Sequence, residues 1–395
     1  MNLDAIQTAL RQSALDGWLF YDHHHRDPIA ARILGLDPNA HVTRRWYYFI
    51  PASGEPRKLV HRIEQGRLDS LCGAKTQYSS WQELRAGLEN LLQNQKKIAM
   101  QYSPSNDIMY VSMVDAGTVE FLRSLGKEIV SSADLVSQFE AVLTAEQIAS
   151  HQAAQREIDV ILVAAWAEIA RRLRPPSGAN RSTDLTEYDL VVWLREALRR
   201  EGLVWENGPD VSVSANTSDQ HYEPRAEHAA PIREGDFLLI DMWGRLDTPT
   251  SVFYDITWTG VIGREPSRKE QMIFETVRRA RDAAIALVEQ AFAAGRDLRG
   301  FEVDDAARSV IRAAGFGDYF VHRTGHNITH EIHGPGAHLD NLETHDGRRI
   351  LPHTCFSVEP GIYLPEFGVR SEINMLTAPG KAWVTGRMQQ ELVRI

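Results

Sequence analysis

Asp241, Asp255, His326, Glu359 and Glu372 are the side chains in this 395-residue sequence whose types and settings could together do chemistry. Glu359 and Glu372 each stand alone in a short apolar run, CFSVEP and FGVRSEINML, where a half-buried strand would favour another aliphatic residue. Asp241 closes the run DFLLID and Asp255 sits inside VFYDITW. His326 belongs to a stretch, His322 to His345, that holds six of the fifteen histidines. An ionised carboxylate among apolar neighbours is costly unless a cation or hydrogen bonds compensate it. Taken singly, Asp241 reads equally well as a solvated strand end and Asp255 as a turn residue; the five positions together point to a metal. Four carboxylates and one imidazole form a hard, oxygen-rich donor set. Such a set suits Mn2+ or Co2+, or Zn2+ when supplied, and not a thiolate-selected metal. Four negative charges balance two divalent ions, whereas one ion would leave a large excess of buried charge, so two ions are expected.

A rival metal motif lies in the same stretch. His326 and His330 have the i, i+4 spacing of a zinc helix, and His330-Glu331-Ile332-His333 resembles a shortened HExxH. The Glu and the second His are one residue too close, and Gly334-Pro335-Gly336 ends any helix at once. That motif is therefore set aside.

To bring the carboxylates together, Asp241 and Asp255 must lie on two strands joined through Asp247-Thr248-Pro249-Thr250 as a hairpin that turns both to one face. The rest of the chain supplies a frame for this. Residues 1–143 alternate strand runs (GWLFYD, RRWYYFI, KLVHRI, KKIAMQY, KEIVSS) with helical patterns at Asp4–Ser13, Ser80–Leu92 and Ala133–Leu143, which suggests a separate α/β domain. Tyr21-Asp22-His23-His24-His25-Arg26-Asp27 follows a strand; adjacent strand histidines face opposite ways, so a solvated turn is expected there. The alternative is a loop that lends one His or Asp to a pocket, its own or a partner subunit's. Thr144 and Gln147 have capping-box spacing at the start of a long helix that Arg174-Pro175-Pro176 should end. A second helix, about Thr186–Glu201, precedes strands; a long helix, Ser267–Phe292, and a shorter one, Val303–Ala314, precede the later strands. Helix, helix, strands thus occurs twice, which suggests two related halves around one site.

Composition narrows the function classes. A net charge of −10 without like-charge blocks offers no footprint for nucleic acid or anionic membrane. Two cysteines, Cys72 and Cys355, argue against a disulfide framework and for a reducing compartment. The start lacks a leader pattern and the longest apolar stretch, Ile158–Ala170, contains Asp159 and Glu168, so a cytoplasmic protein without a membrane span is expected.

The five positions, with their neighbours LLID241, YD255IT, TGH326, SVE359PG and VRSE372, resemble the pita-bread metallopeptidases, the superfamily of methionine aminopeptidase, Xaa-Pro aminopeptidase, Xaa-Pro dipeptidase (prolidase) and creatinase. The resemblance covers residues 144–395; residues 1–143 match the creatinase-type domain of the proline-specific branch by length and strand order. It implies that Asp241 and Asp255 hold one ion, that His326 and Glu359 hold the other, and that Asp255 and Glu372 bridge them. It also implies a metal-bridging hydroxide as nucleophile, Glu359 as proton carrier, and His333 steadying the tetrahedral intermediate. His221, after the loop NTSDQ, would contact substrate, while His322 and Arg370 would line the pocket for the residue after the cleaved bond. Arg370 offers a fork for a carboxylate, or else orients Glu372. The implied activity is hydrolysis of Xaa-Pro dipeptides, with Xaa-Pro aminopeptidase action on longer peptides as the alternative. A creatinase-like hydrolase or an inactive binding protein on the same scaffold would lack ligand positions, and none is lost. A homodimer is implied. The sequence departs from the family in a longer Asp241–Asp255 hairpin, in Thr329 where relatives carry glycine, and in Trp258 where DITRT is common, departures expected to bear on substrate preference.

Overall fold

The computed structural model describes residues 1–173 and 185–395; the expected helix stop at Arg174-Pro175-Pro176 lies outside the described residues. Contacts divide the chain into two compact units, Met1–Glu140 and Ala141–Ile395.

The first unit is a mixed six-stranded sheet. Its strands run, across the sheet, Ala74–Tyr78, Arg57–His61, Trp46–Pro51, Gly17–Asp22, Lys97–Met100 and Glu128–Ser131. The central strand Gly17–Asp22 is buried along its whole length, which explains why it reads as an unbroken apolar run and not as an alternation. After it, Asp22 accepts hydrogen bonds from the amides of Arg26 and Asp27, at 2.8 and 3.2 Å, and so closes the histidine run into a turn. Asp27 then caps a helix, Pro28–Leu34, that the turn-like composition of HHHRDP conceals. Ser80 and Glu83 form a capping box on the helix Trp81–Leu91.

The second unit opens with helix α1 (Ala145–Leu173), whose first turn is held by the reciprocal Thr144–Gln147 bonds of 2.9 and 3.2 Å. Helix α2 (Glu187–Arg200) begins with a Thr186–Asp189 capping box and buries Leu190, Leu194 and Leu198 on one stripe. Strands β1 (Asp210–Val213), β2 (Phe237–Leu246) and β3 (Tyr254–Val261) follow. Helices α3 (Arg268–Ala293) and α4 (Gly300–Ala313) pack on one another. Then come β4 (Asn327–Ile328), β5 (Cys355–Val358), the hairpin β6 (Gly361–Leu364) and β7 (Phe367–Arg370), β8 (Ile373–Ala378) and β9 (Lys381–Thr385). The order helix, helix, strands does occur twice, with one sheet built on β2 and β3 and a second in the order β4, β5, β8, β9.

The halves meet through polar side chains as well as apolar ones. Asn374 of β8 bonds both backbone atoms of Asp255 in β3, accepting from its amide at 2.9 Å and donating to its carbonyl at 2.8 Å. His151 of α1 is fully buried between the Phe253 carbonyl at 2.6 Å and the Thr385 hydroxyl at 2.9 Å. The carbonyl can only accept, so Nδ1 carries the proton; burial holds this imidazole neutral by drawing its pKa down to about 4.

Candidate metal centre

In the β2–β3 hairpin Asp241 pairs with Thr257 and Trp243 with Asp255. Directly opposed residues and residues two apart along a strand share a face, so Asp241, Asp255 and Thr257 all point the same way. The hairpin therefore does what its length was expected to do, and Asp247 is left exposed in the connecting turn. Trp258 is an odd number of residues from Asp255 and turns to the other face. It is half-buried against the apolar cluster of α1 and α2, away from the carboxylates.

Glu372 enters from the segment between β7 and β8, where its amide donates to the Thr257 carbonyl at 3.2 Å. His326 precedes β4, a strand and not a helix, which removes the geometric basis of the HExxH-like alternative. A side chain at Gly325 would collide with the Ser357 carbonyl, so glycine is what lets the His326 backbone approach β5 this closely. Ser357 then links two candidates: it accepts from the His326 amide at 2.9 Å and donates to Glu359 Oε1 at 3.1 Å.

Ligating atoms of Asp255, His326 and Glu372 converge within 4.8 Å of one another, and all three residues are buried. His326 Nε2 also lies 3.5 Å from Asp255 Oδ2 and 3.4 Å from Glu359 Oε1. Asp241 joins through Thr257, whose hydroxyl is 2.9 Å from Asp241 Oδ1 and 2.8 Å from Glu372 Oε2.

Charge is in excess here. Burial, and then Asp241 and Glu359, push the Asp255 carboxyl well above its usual range; burial and then Asp255 do the same to Glu372. Glu359 is raised to about 7, chiefly by burial. Burial, followed by the charge of the neighbouring His333, lowers His326 strongly, so its imidazole is neutral and able to ligate. Among the described residues, Asp255 Oδ1 and Glu372 Oε1 are buried and have no hydrogen-bond partner. Orphaned carboxylate oxygens beside a neutral imidazole are what a divalent cation would complete, so the residues present fit the group.

Arg370 lies among the candidate ligands. Its guanidinium pairs with Asp241, donates from Nε to the Thr257 hydroxyl at 3.0 Å and from Nη1 to the Tyr363 hydroxyl at 3.2 Å. The acid it contacts directly is Asp241, and through the Thr257 hydroxyl it is linked to Glu372 as well. The cause is register: β7 delivers residue 370 next to the β2 face, which the spacing to Glu372 does not reveal. His322 bonds the Arg323 carbonyl through Nδ1 and the Tyr363 hydroxyl through Nε2, both at 2.7 Å. Burial and then Arg370 push it down to about 3, so it is neutral. His333 stands edge-on to His326 with ring centroids 4.4 Å apart. It is drawn to about 4 by desolvation and then by the charges of Arg323 and His221, and His221 itself is exposed. His330 lies aside, half-buried and 3.9 Å from Glu331.

Several contributors escaped sequence reasoning. Thr257, Ser357 and Asn374 each lie two residues from a candidate ligand and so share its face, a signal that period-two counting makes readable. Glu187 is fully buried and takes four hydrogen bonds, from Val213 N (2.8 Å), Asn216 Nδ2 (3.0 Å), the Tyr222 hydroxyl (2.7 Å) and Ala230 N (2.8 Å), which fasten the His221 loop to the start of α2. Asp210, opposite Asp241 in β1, is pushed to about 7 by its burial and then by that neighbour. Nothing local in its sequence marks it.

Among known proteins, the family model described as Metallopeptidase family M24 matches residues 152–379. A putative Xaa-Pro aminopeptidase of Mycoplasma pneumoniae is 26% identical over 58% of this chain and 62% of its own length. An Xaa-Pro dipeptidase of Lactobacillus delbrueckii subsp. lactis is 32% identical over 50% of each. The chain thus spans about half to three-fifths of the length of these curated relatives. The crystal structure of dipeptidase PepE from Mycobacterium ulcerans covers 100% of this chain, and 96% of its own, with a TM-score of 0.66 and 22% identity, which shows a common fold.

Proposed function

The chain belongs to metallopeptidase family M24, with the pita-bread fold, and from that membership we propose that it hydrolyses the bond before proline in Xaa-Pro dipeptides with a free amino terminus. The observation that supports this reading most directly is the convergence of Asp255, His326 and Glu372 within 4.8 Å, with His333 standing edge-on to His326.

Family membership implies divalent metal ions. We assign two, with manganese first and cobalt or zinc as alternatives: Asp241 and Asp255 would hold one, His326 and Glu359 the other, and Asp255 and Glu372 both. Bound there, such ions lower the pKa of water and polarise a carbonyl. The chain's own residues supply the rest. Glu359 accepts the proton of the attacking water and passes it to the proline nitrogen as the bond breaks. In this reading His333 and His221 donate to the scissile carbonyl oxygen as it gains charge. Neutral His322, held by Tyr363 and the Arg323 carbonyl, lines the far side for the proline residue. Asp241 keeps its orientation through Arg370 and Thr257.

A second reading, Xaa-Pro aminopeptidase action on longer peptides, is favoured by Arg370. With three of its five donors engaged by Asp241, Thr257 and Tyr363, it has fewer left for the carboxylate of a dipeptide. We further propose a creatinase-type domain at residues 1–143 and a catalytic domain at 144–395, a homodimer, and a cytoplasmic location. No helix among the described residues is long and apolar enough to cross a membrane.

The deciding experiment removes metal by chelation, restores manganese, and compares a Xaa-Pro dipeptide with the Xaa-Pro tripeptide that extends it. Faster cleavage of the dipeptide is expected; equal or faster cleavage of the tripeptide moves the assignment to the aminopeptidase. Asp255→Ala should abolish activity and lower the bound manganese while the circular dichroism spectrum is kept. Retention of both metal and rate would refute the assignment of Asp255.

A further inference from the structure

Among the described residues no hydrogen bond reaches the His333 imidazole, which meets His326 edge-on with ring centroids 4.4 Å apart. The place of that ring is therefore set by the backbone that carries it. This backbone is a loop between β4 and β5, and its return is fastened to one side chain, Asn327.

Asn327 is 1% exposed, and each of its polar groups is used. Its main-chain carbonyl accepts from the Gly334 amide at 2.7 Å, and its main-chain amide donates to His338 Nδ1 at 3.1 Å. The side-chain Oδ1 accepts from the Gly336 amide at 2.8 Å, while Nδ2 donates to the Cys355 carbonyl at 2.9 Å. An N–H can only donate and a carbonyl can only accept, so these two partners fix which way the amide points. The loop is shaped around it: a Cβ at Gly334 would stand 2.4 Å from Oδ1, and one at Gly336 would stand 2.7 Å from it. Asparagine is disfavoured in strands, yet residue 327 lies in β4, paired with Phe356 of β5. What this side chain stabilises is the loop.

Strand β5 is the common support of both histidines. Ser357 of β5 bonds the His326 amide, and Cys355 of β5 holds the Asn327 side chain that fastens the segment after His333. We propose that Asn327 is a positioning residue for His333: its side-chain amide ties the loop to β5 and so sets the imidazole of His333 against that of His326. The use made of His333 rests on the Xaa-Pro reading; the fastening of the loop does not. The nearby bond from His326 Nδ1 to a carbonyl, that of Asn327 at 3.4 Å, belongs to the main chain and survives a change of the side chain.

The test uses the full chain loaded with manganese. Hydrogen exchange over residues 333–338 should be slow in the native chain and should quicken in Asn327→Ala, with α3 still protected. On an Xaa-Pro dipeptide Asn327→Ala should lower kcat by about 10- to 100-fold, with little change in KM. The manganese Kd, read by competition with a fluorescent chelator, should be unchanged. Gly336→Ala, whose Cβ presses on the same amide, should lower kcat in the same way. In a His333→Ala background, Asn327→Ala should bring no further loss, because the group it positions is already gone. Losses that multiply in the double variant would mark a general structural role and overturn the proposal. Weakened manganese binding in Asn327→Ala would overturn it too, by placing the effect on His326. Fast exchange over residues 333–338 in the native chain overturns it without any variant. Should the native chain cleave no Xaa-Pro substrate, the Xaa-Pro reading falls, and quickened exchange in Asn327→Ala still upholds the fastening of the loop.

Discussion

At Thr257 a single hydroxyl meets two carboxylates, Asp241 at 2.9 Å and Glu372 at 2.8 Å, and also accepts from Arg370 Nε at 3.0 Å. One proton cannot serve both acids, so the second depends on a cation or on a proton of its own. Groups that orient ligands in this way are commonly worth about 10- to 100-fold in metal affinity. Thr257→Val keeps the shape and strand preference of the side chain and removes the oxygen. It is expected to weaken manganese binding by about tenfold or more in competition with a fluorescent chelator, with an unchanged circular dichroism spectrum. Unaltered affinity would show that the carboxylates hold their own orientation. Arg370 belongs to the same scale. Its position two residues before Glu372 suggests a substrate clamp, and only the contact with Asp241 shows where its charge is spent.

Elements bring these residues together by close backbone approach and by buried polar ties. Helix α2 carries Glu187 at its first turn, and the four hydrogen bonds to that carboxylate hold the loop that ends in His221. Glu187→Gln would turn an amide nitrogen towards groups that are themselves donors, at a cost of about 1–3 kcal/mol for a buried unsatisfied group. Hydrogen exchange should quicken over residues 214–230 and stay slow in the body of α2. Because His221 rides on that loop, KM for an Xaa-Pro substrate should rise while bound manganese is unchanged. Protection unaltered in the loop would remove Glu187 from this role. The strand signals in this region were legible, since β2 and β3 are apolar runs, largely buried, each interrupted by a lone acid. The polar tie was not, because Thr186 and Asp189 account for the start of α2 without Glu187.

For the whole molecule the question is how two halves tolerate four carboxylates around one imidazole. The Glu359 carboxyl is held at about 7 against an ordinary 4.5, so between those values the folded chain binds more protons than the unfolded one. In the chelated protein, that contribution to stability is complete below about 4.5 and is lost as pH rises through 7. Asp255 and Glu372, raised further, act in the same direction. A divalent ion takes the place of those protons, and at a hundredfold excess over its Kd it adds about 2.7 kcal/mol. The gap between the Tm of the manganese-loaded and the chelated chain is therefore expected to widen as pH is raised from 5 to 8, measured by scanning calorimetry. A gap that narrows over that range would contradict a carboxylate-rich site. Assembly from both halves also explains why no single segment announces the centre: Asp255 comes from the first sheet, and His326, Glu359 and Glu372 come from the second half of the unit.

Local order sufficed for part of this. Strand runs with misplaced acids, helix starts such as Thr144-Ala-Glu-Gln147, and the glycine before His326 each express chemistry among residues within a few positions of one another, and that chemistry is present in the chain before it folds. The partners of those acids are another matter. Asp210 opposite Asp241, Arg370 turned onto Asp241 and Trp258 turned away from the cleft depend on the register between segments tens of residues apart. A shift of one residue in that register would send every side chain to the opposite face. Register is settled by the packing of the whole unit, which is why the identities of the charged groups could be read from the sequence and their pairing only from the tertiary structure.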